Sequence, residues 1–62
     1  MLKIEQNPAD GKRFLITDGE DIELECSLDR HGRINLDWYS NTESDEYFNE
    51  HWEELEEQLQ NL

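Results

Sequence analysis

Hydrophobic residues in the last third of the chain, residues 43–62, recur at the spacing of an amphipathic helix. At 100° per residue, five large apolar side chains fall within one narrow stripe, and glutamates occupy the opposite side. The stripe consists of Phe48, Trp52, Leu55, Leu59 and Leu62. The pattern predicts one long helix that packs on the rest of the protein. Its start falls at one of two capping boxes, Ser40 with Glu43 or Thr42 with Asp45, and both remain open.

Upstream of this segment the hydrophobic residues alternate with polar ones, which is typical of half-buried β-strands. We predict strands at residues 2–6, 12–17, 21–28 and 33–39, separated by turns rich in Gly, Pro, Asn and Asp. The Asp18-Gly19 pair is a strong signal for a two-residue hairpin turn. The predicted fold class is α+β in a single domain, residues 1–62. It is a four-stranded antiparallel β-meander covered on one face by the C-terminal helix.

The alternation also predicts which side chains form the core beneath the helix. In the second strand either Phe14 and Ile16 or else Leu15 points inward, and the pattern does not decide between them. Tyr39 and Tyr47 lie off the apolar faces and are expected to be exposed. The other expected core residues of the strands are Ile4, Ile22, Leu24, Cys26, Leu28, Ile34, Leu36 and Trp38.

The net charge of −12, from 17 acidic and 5 basic residues, restricts the partners of the protein. A field this negative repels nucleic acid and anionic membranes and attracts basic proteins, so we expect neither direct nucleic-acid binding nor membrane binding. The single Cys26 excludes an intramolecular disulfide and is expected to be a buried, unreactive thiol. No targeting segment or long apolar run is recognisable, and we expect a monomeric cytoplasmic protein.

The acidic residues concentrate in the helical segment, which has eight carboxylates and no Lys or Arg. Three pairs of glutamates four residues apart repel each other and mildly destabilise the helix. Eight charges over ~21 Å of axis amount to about one per 2.6 Å, against ~1.7 Å for double-stranded DNA. The candidate partner-binding residues on the helix are Glu43, Glu46, Glu50, Glu53, Glu54 and Glu57. Glu23, Glu25 and Asp37 on the outer face of the sheet complete the candidate set.

Catalytic, metal and cofactor chemistry is not indicated. His31 and His51 have no obvious nucleophile partner, and with Cys26 they match no zinc-binding spacing. The acidic turn after Asp18 lacks the twelve-residue calcium-loop pattern. We therefore predict that the protein is not an enzyme and has no catalytic residues, no metal and no cofactor.

In size and charge pattern, with the acidic helix face of Glu43, Glu46, Glu50, Glu53, Glu54 and Glu57, the chain resembles small phage-encoded proteins that mimic DNA. This class includes anti-restriction and anti-CRISPR inhibitors. The resemblance implies a stoichiometric inhibitor that occupies the Lys- and Arg-lined DNA site of a host defence complex, for example a CRISPR effector. Two alternatives remain open. The protein is an acidic partner or immunity protein that neutralises a basic toxin or enzyme without imitating DNA, or the acidic face only maintains solubility.

Overall fold

The computed structural model describes all 62 residues as one sheet and one helix. In chain order the elements are β1 (Lys3–Asn7), β2 (Asp10–Thr17), β3 (Glu23–Leu28), β4 (Ile34–Tyr39) and α1 (Thr42–Gln60). The strands form an antiparallel sheet in the order β1-β2-β3-β4, and each strand pairs with its neighbours in the chain. The helix α1 lies on one face of this sheet, against β3 and β4. The predicted α+β meander with a single covering helix is confirmed.

A small apolar core lies between the sheet and α1. The open question in β2 is resolved in favour of Phe14 and Ile16, which are buried, whereas Leu15 projects to the other face. The radius of gyration is 10.7 Å, close to the ~10.6 Å expected for a compact chain of this length. The buried apolar residues are Phe14, Ile16, Leu24, Cys26, Leu55 and Leu59.

The buried face of α1 is rotated slightly from the predicted stripe. Leu62, the last residue of the predicted stripe, lies beyond the end of the helix and is 67% exposed. Trp52 is half-buried at the margin of the interface. On the other margin, Tyr47 packs against the core, contrary to the expectation of exposure. Ser44, a fully buried polar residue, lies on the packed face, where hydrophobicity could not place it.

Neither predicted capping box starts the helix. The N-cap is Asn41, whose side-chain oxygen accepts a hydrogen bond from the Ser44 N–H at 2.9 Å. The Asn41 side-chain amide also donates to the Asp21 carbonyl at 2.8 Å, and the Ser44 hydroxyl accepts from the Glu23 N–H at 2.9 Å. Asn41 therefore caps the helix and ties its start to the loop before β3, and Ser44 ties it to the first residue of β3.

A β-bulge in the β3–β4 pair changes the orientation of Trp38. Cys26 pairs with Leu36, but Glu25 pairs with Trp38, so Asp37 is an extra residue in β4. An extra residue shifts the alternation of the strand by one position. Trp38 therefore lies on the outer face and is 45% exposed, and its predicted place in the core was wrong.

Two hairpins close with the same side-chain arrangement. In each, an aspartate Oδ1 accepts hydrogen bonds from the N–H groups two and four residues later, at distances between 2.8 and 3.0 Å. These residues are Asp18, after β2, and Asp29, after β3. The first of these loops spans the five residues between Thr17 and Glu23, so the predicted two-residue turn at Asp18-Gly19 was wrong. The aspartate side chain stabilises a longer loop than the sequence pair suggested.

Candidate functional site

The solvent-facing side of α1 consists of carboxylates. The six predicted residues are all exposed and fall within about 100° of the helix circumference, opposite the buried leucines. We call this surface the helix acidic face. It consists of Glu43, Glu46, Glu50, Glu53, Glu54 and Glu57.

Two of the eight carboxylates in α1 lie outside this face. Glu56 is turned toward the sheet, where its Oε2 accepts hydrogen bonds from the Ile34 N–H at 3.0 Å and the Arg33 Nε at 3.1 Å. These donors lower the pKa of Glu56, the Ile34 N–H having the larger effect. Asp45 is half-buried on the flank of the helix. The exposed face therefore presents six charges over ~21 Å, or on average about one per 3.5 Å, which is close to the ~3.4 Å axial spacing of one DNA strand.

Basic side chains do not neutralise the helix acidic face. Arg13 pairs with Asp10 at 3.4 Å, and Arg33 pairs with Glu56. Neither carboxylate belongs to the face, and no other Lys or Arg forms an ion pair. The His51 imidazole lies beside the face. Its Nε2 is 4.0 Å from Glu50 Oε2, and its Nδ1 is 3.8 Å from Glu54 Oε1. The face is a continuous negative surface with one imidazole at its edge.

Polar contacts fix the rotation of α1 on the sheet. At its start, the Asn41 and Ser44 side chains bond to the backbone before and within β3. Near its end, Glu56 binds the first residue of β4, and the Gln60 side-chain amide donates to the Gly32 carbonyl at 2.6 Å. Held at both ends, the helix presents its acidic face in one orientation, so the backbone that carries the glutamates is ordered before a partner binds.

The charge distribution of α1 opposes helix formation. Glu46/Glu50, Glu50/Glu54 and Glu53/Glu57 are like-charge pairs four residues apart, each destabilising by roughly 0.2–0.5 kcal/mol. The last turn contains no basic residue, although a cation there would interact favourably with the helix dipole. The first turn is favourable, with Glu43 and Asp45 near the positive end of the dipole.

The remaining candidate residues lie on a different surface. Glu23 and Glu25 alternate along β3 with Leu24 and Cys26, which are buried beneath α1, so their side chains project from the face opposite the helix. Asp37, in the bulge, lines the same outer groove as Glu25. The structure thus divides the candidates into two surfaces that point in opposite directions, and one flat partner contacts only one of them at a time.

Residues with catalytic or ligating potential are few. Burial, with a smaller effect of the Asp37 charge, raises the pKa of the Cys26 thiol to about 12, so the thiolate nucleophile is scarce at neutral pH. No group of three or more His, Cys, Asp or Glu side chains is arranged to hold a metal ion. Helix α1 does not combine the length and apolar character that a membrane crossing needs.

Two residues that matter for these surfaces were not recognised from the sequence. Glu56 looked like one more helix acid, because only the tertiary structure brings the Ile34 N–H to it. Trp38 was predicted to be a core residue, because the alternation of apolar and polar residues in β4 does not reveal the bulge. Comparison with protein-family models, curated proteins and solved structures finds no match to this chain.

Proposed function

We propose that the protein is an acidic DNA-mimic inhibitor. It binds the Lys- and Arg-lined nucleic-acid site of a basic protein or complex, a CRISPR-type defence effector being one example, and blocks DNA binding by stoichiometric occupation. No catalytic step is part of this proposal. The observation that supports it most is the helix acidic face itself: six exposed carboxylates, no neutralising Lys or Arg, and a fixed orientation.

The spacing of the charges favours a DNA-binding site as the target. A protein that binds DNA positions its cations against phosphates that advance ~3.4 Å along each strand. The helix acidic face presents on average one carboxylate per ~3.5 Å along a straight axis. Because Glu56 and Asp45 are turned away from this face, the spacing of its carboxylates resembles the phosphate spacing of one DNA strand and not that of both strands together. The proposed target is therefore a site that contacts a single phosphate backbone.

The energetic cost of the face supports a functional role over solubility alone. A solvated helix gains stability when acids and bases are interleaved four residues apart, and such a helix is equally soluble. Here every exposed ionic residue on the outer side of α1 is acidic, and three pairs of glutamates four residues apart repel each other. A surface selected to bind cations accounts for this arrangement.

The alternative function, neutralisation of a basic toxin or enzyme without DNA mimicry, is favoured by a different observation. The outer face of the sheet exposes Trp38 beside Glu25, and aromatic residues are enriched in protein–protein interfaces. A partner bound through this face need not have a nucleic-acid site. The two functions differ in one measurable respect, because only a mimic competes with DNA.

The test compares variants in capture of proteins from a bacterial lysate. The immobilised protein is loaded at low salt and eluted with a salt gradient, and the late-eluting proteins are identified and assayed for DNA affinity. The variant Glu50→Lys/Glu53→Lys/Glu57→Lys should fold, as judged by circular dichroism, yet fail to capture the target. A folded triple variant that captures and inhibits like the wild type would exclude the helix acidic face as the binding surface.

A matched control separates local geometry from overall charge. Reversal of Glu5, Glu20 and Asp21 to Lys changes the net charge by the same amount but leaves α1 intact. All three are exposed, and none of their side chains forms a hydrogen bond or ion pair. We expect this variant to retain most of the capture, because steering by net charge is weaker than direct pairing. Equal loss in both variants would mean that only the overall field matters.

A further inference from the structure

The outer face of the sheet is an uncovered surface with an exposed tryptophan at its edge. Helix α1 packs on the opposite face, and no other element covers this one. Trp38 is 45% exposed, although tryptophan is among the residues with most to gain from burial. Trp38 lies on this face because of the bulge at Asp37. In other proteins, β-bulges often change the direction of a side chain beside a functional site.

Strand pairing places Trp38 at the end of a row that crosses the whole sheet. Glu5 pairs with Leu15, Leu15 pairs with Glu25, and Glu25 pairs with Trp38. Residues paired in this way have neighbouring side chains, with strands ~4.8 Å apart. The row therefore alternates a carboxylate with an apolar or aromatic side chain, and Leu15 is half-buried within it.

Acidic groups surround the tryptophan end of this row. Asp37 is the extra residue of the bulge next to Trp38, and Glu23 lies two residues before Glu25 on β3. Asp37 and Glu25 also line one end of a shallow groove of about 310 Å³ that extends away from Trp38 to β1 and β2, where Arg13 lines it as well. The bases of the outer face are on the other strands: Lys3 on β1, and Arg13 on β2, where it pairs with Asp10. The β3–β4 side is thus both aromatic and negatively charged.

This combination is complementary to arginine. A guanidinium stacks on the face of an indole and simultaneously donates paired hydrogen bonds to a carboxylate, whereas a lysine ammonium acts as a point charge. An apolar partner would leave Glu25 and Asp37 desolvated and unpaired, and an acidic partner would be repelled. The charge and the ring together select one kind of occupant.

We propose that the β3–β4 side of the outer face, with Trp38, Glu25 and Asp37, is a docking surface for an arginine-bearing extended segment of a basic protein. The arginine stacks on Trp38 and pairs with Glu25 or Asp37. This surface faces away from the helix acidic face, so the inference stands whether or not the partner of α1 binds nucleic acid.

The test uses two capped pentapeptides of identical charge, one alternating threonine with arginine and the other threonine with lysine. Each is titrated into ¹⁵N-labelled protein at fixed ionic strength, and chemical-shift changes are followed at the Trp38 indole N–H and the backbone amides of the outer face. We expect the arginine peptide to bind there about two- to five-fold more tightly than the lysine peptide. Equal affinities at this face, or shifts confined to α1, would overturn the proposal.

Variants identify the groups responsible. Trp38→Leu should reduce the arginine preference, because it removes the stacking contribution and leaves the paired hydrogen bonds to the carboxylate. Because the side chain is exposed, this variant is expected to fold. Glu25→Gln should weaken binding of the arginine peptide, whereas Glu20→Gln, which removes the same charge from the β2–β3 loop, should not. An arginine preference that is unchanged in Trp38→Leu, or equal effects of the two glutamate variants, would overturn the assignment.

Discussion

Replacement of Glu57 by Lys should stabilise the protein. Glu57 is exposed in the last turns of α1, and its side chain forms no hydrogen bond or ion pair, so the substitution breaks no contact. It removes repulsion from Glu53 and Glu54, and it creates an attraction between Glu53 and the new lysine in the favourable orientation. It also places a cation near the negative end of the helix dipole. All of these changes favour the helix.

The expected gain follows from the individual terms. Each pair interaction contributes roughly 0.2–0.5 kcal/mol, and the dipole term contributes about 0.3–1 kcal/mol. Two removed repulsions, one new attraction and the dipole term together raise the expected free energy of unfolding by about 1–2.5 kcal/mol. For a domain of this size, that corresponds to an increase in Tm of about 8–19 °C. Thermal unfolding followed by circular dichroism at low ionic strength measures it directly.

Two control variants and a salt series test the reasoning. Glu57→Gln removes only the repulsion and should give about half the gain, whereas Glu20→Lys changes the net charge equally but lies outside the helix and should give little. The gain should also shrink in ~1 M salt, where the screening length is about 3 Å. If Glu57→Lys were no more stable than Glu20→Lys, the acidic face would carry no local folding cost. The energetic argument for its function would then fail.

Further predictions concern the turns and the core. Backbone N–H donors lower the pKa of Asp18 and of Asp29 below the ordinary value of 3.8. The two ionised carboxylates therefore stabilise the folded protein fully above pH 3.8, and this stabilisation is lost as the pH falls through the lowered pKa values. Urea unfolding of the double Asn variant, which keeps the acceptor oxygens, should therefore show a shallower acid loss; an unchanged pH profile would contradict this. With a pKa of about 12 instead of 9.0, Cys26 should react with a thiol reagent at pH 8 about a thousand-fold more slowly in the folded than in the unfolded protein; comparable rates would show that the thiol is accessible. Gly19 and Gly32 have positive φ angles of 84° and 78°, so alanine at either should destabilise by about 1–2 kcal/mol. Alanine at Gly32 should destabilise more, because its Cβ meets a glutamine amide from α1 at 3.2 Å, whereas the space at Gly19 is open; equal effects in chemical denaturation would contradict the crowding.

The sequence predicted the elements whose residues follow a regular period. The 3.6-residue period identified α1 and correctly separated its acidic face from Leu55 and Leu59, because a single continuous helix imposes one geometry on all its positions. The alternation of β3 correctly placed Leu24 and Cys26 inward and Glu25 outward. Regular elements with one buried side leave a pattern that can be read residue by residue.

Features that depend on a single irregular residue could not be predicted. One extra residue in β4 reversed the orientation of Trp38, and no rule of alternation anticipates it. Polar residues with tertiary partners were also missed. Ser44 is buried because its hydroxyl binds the start of β3, and Glu56 is turned inward because it satisfies the first N–H of an edge strand. Their partners lie 21 and 22 residues away in the chain.

The central claim is that the helix acidic face occupies a site that otherwise holds DNA, and DNA-driven release tests it most directly. The protein is immobilised, its late-eluting target is captured from lysate, and short double-stranded DNA is added at constant ionic strength. We predict that DNA releases the target in a concentration-dependent manner, and that polyglutamate at the same charge concentration releases it less effectively. A target that stays bound at saturating DNA, with its own DNA affinity unchanged, would contradict mimicry and favour the neutralising-partner alternative.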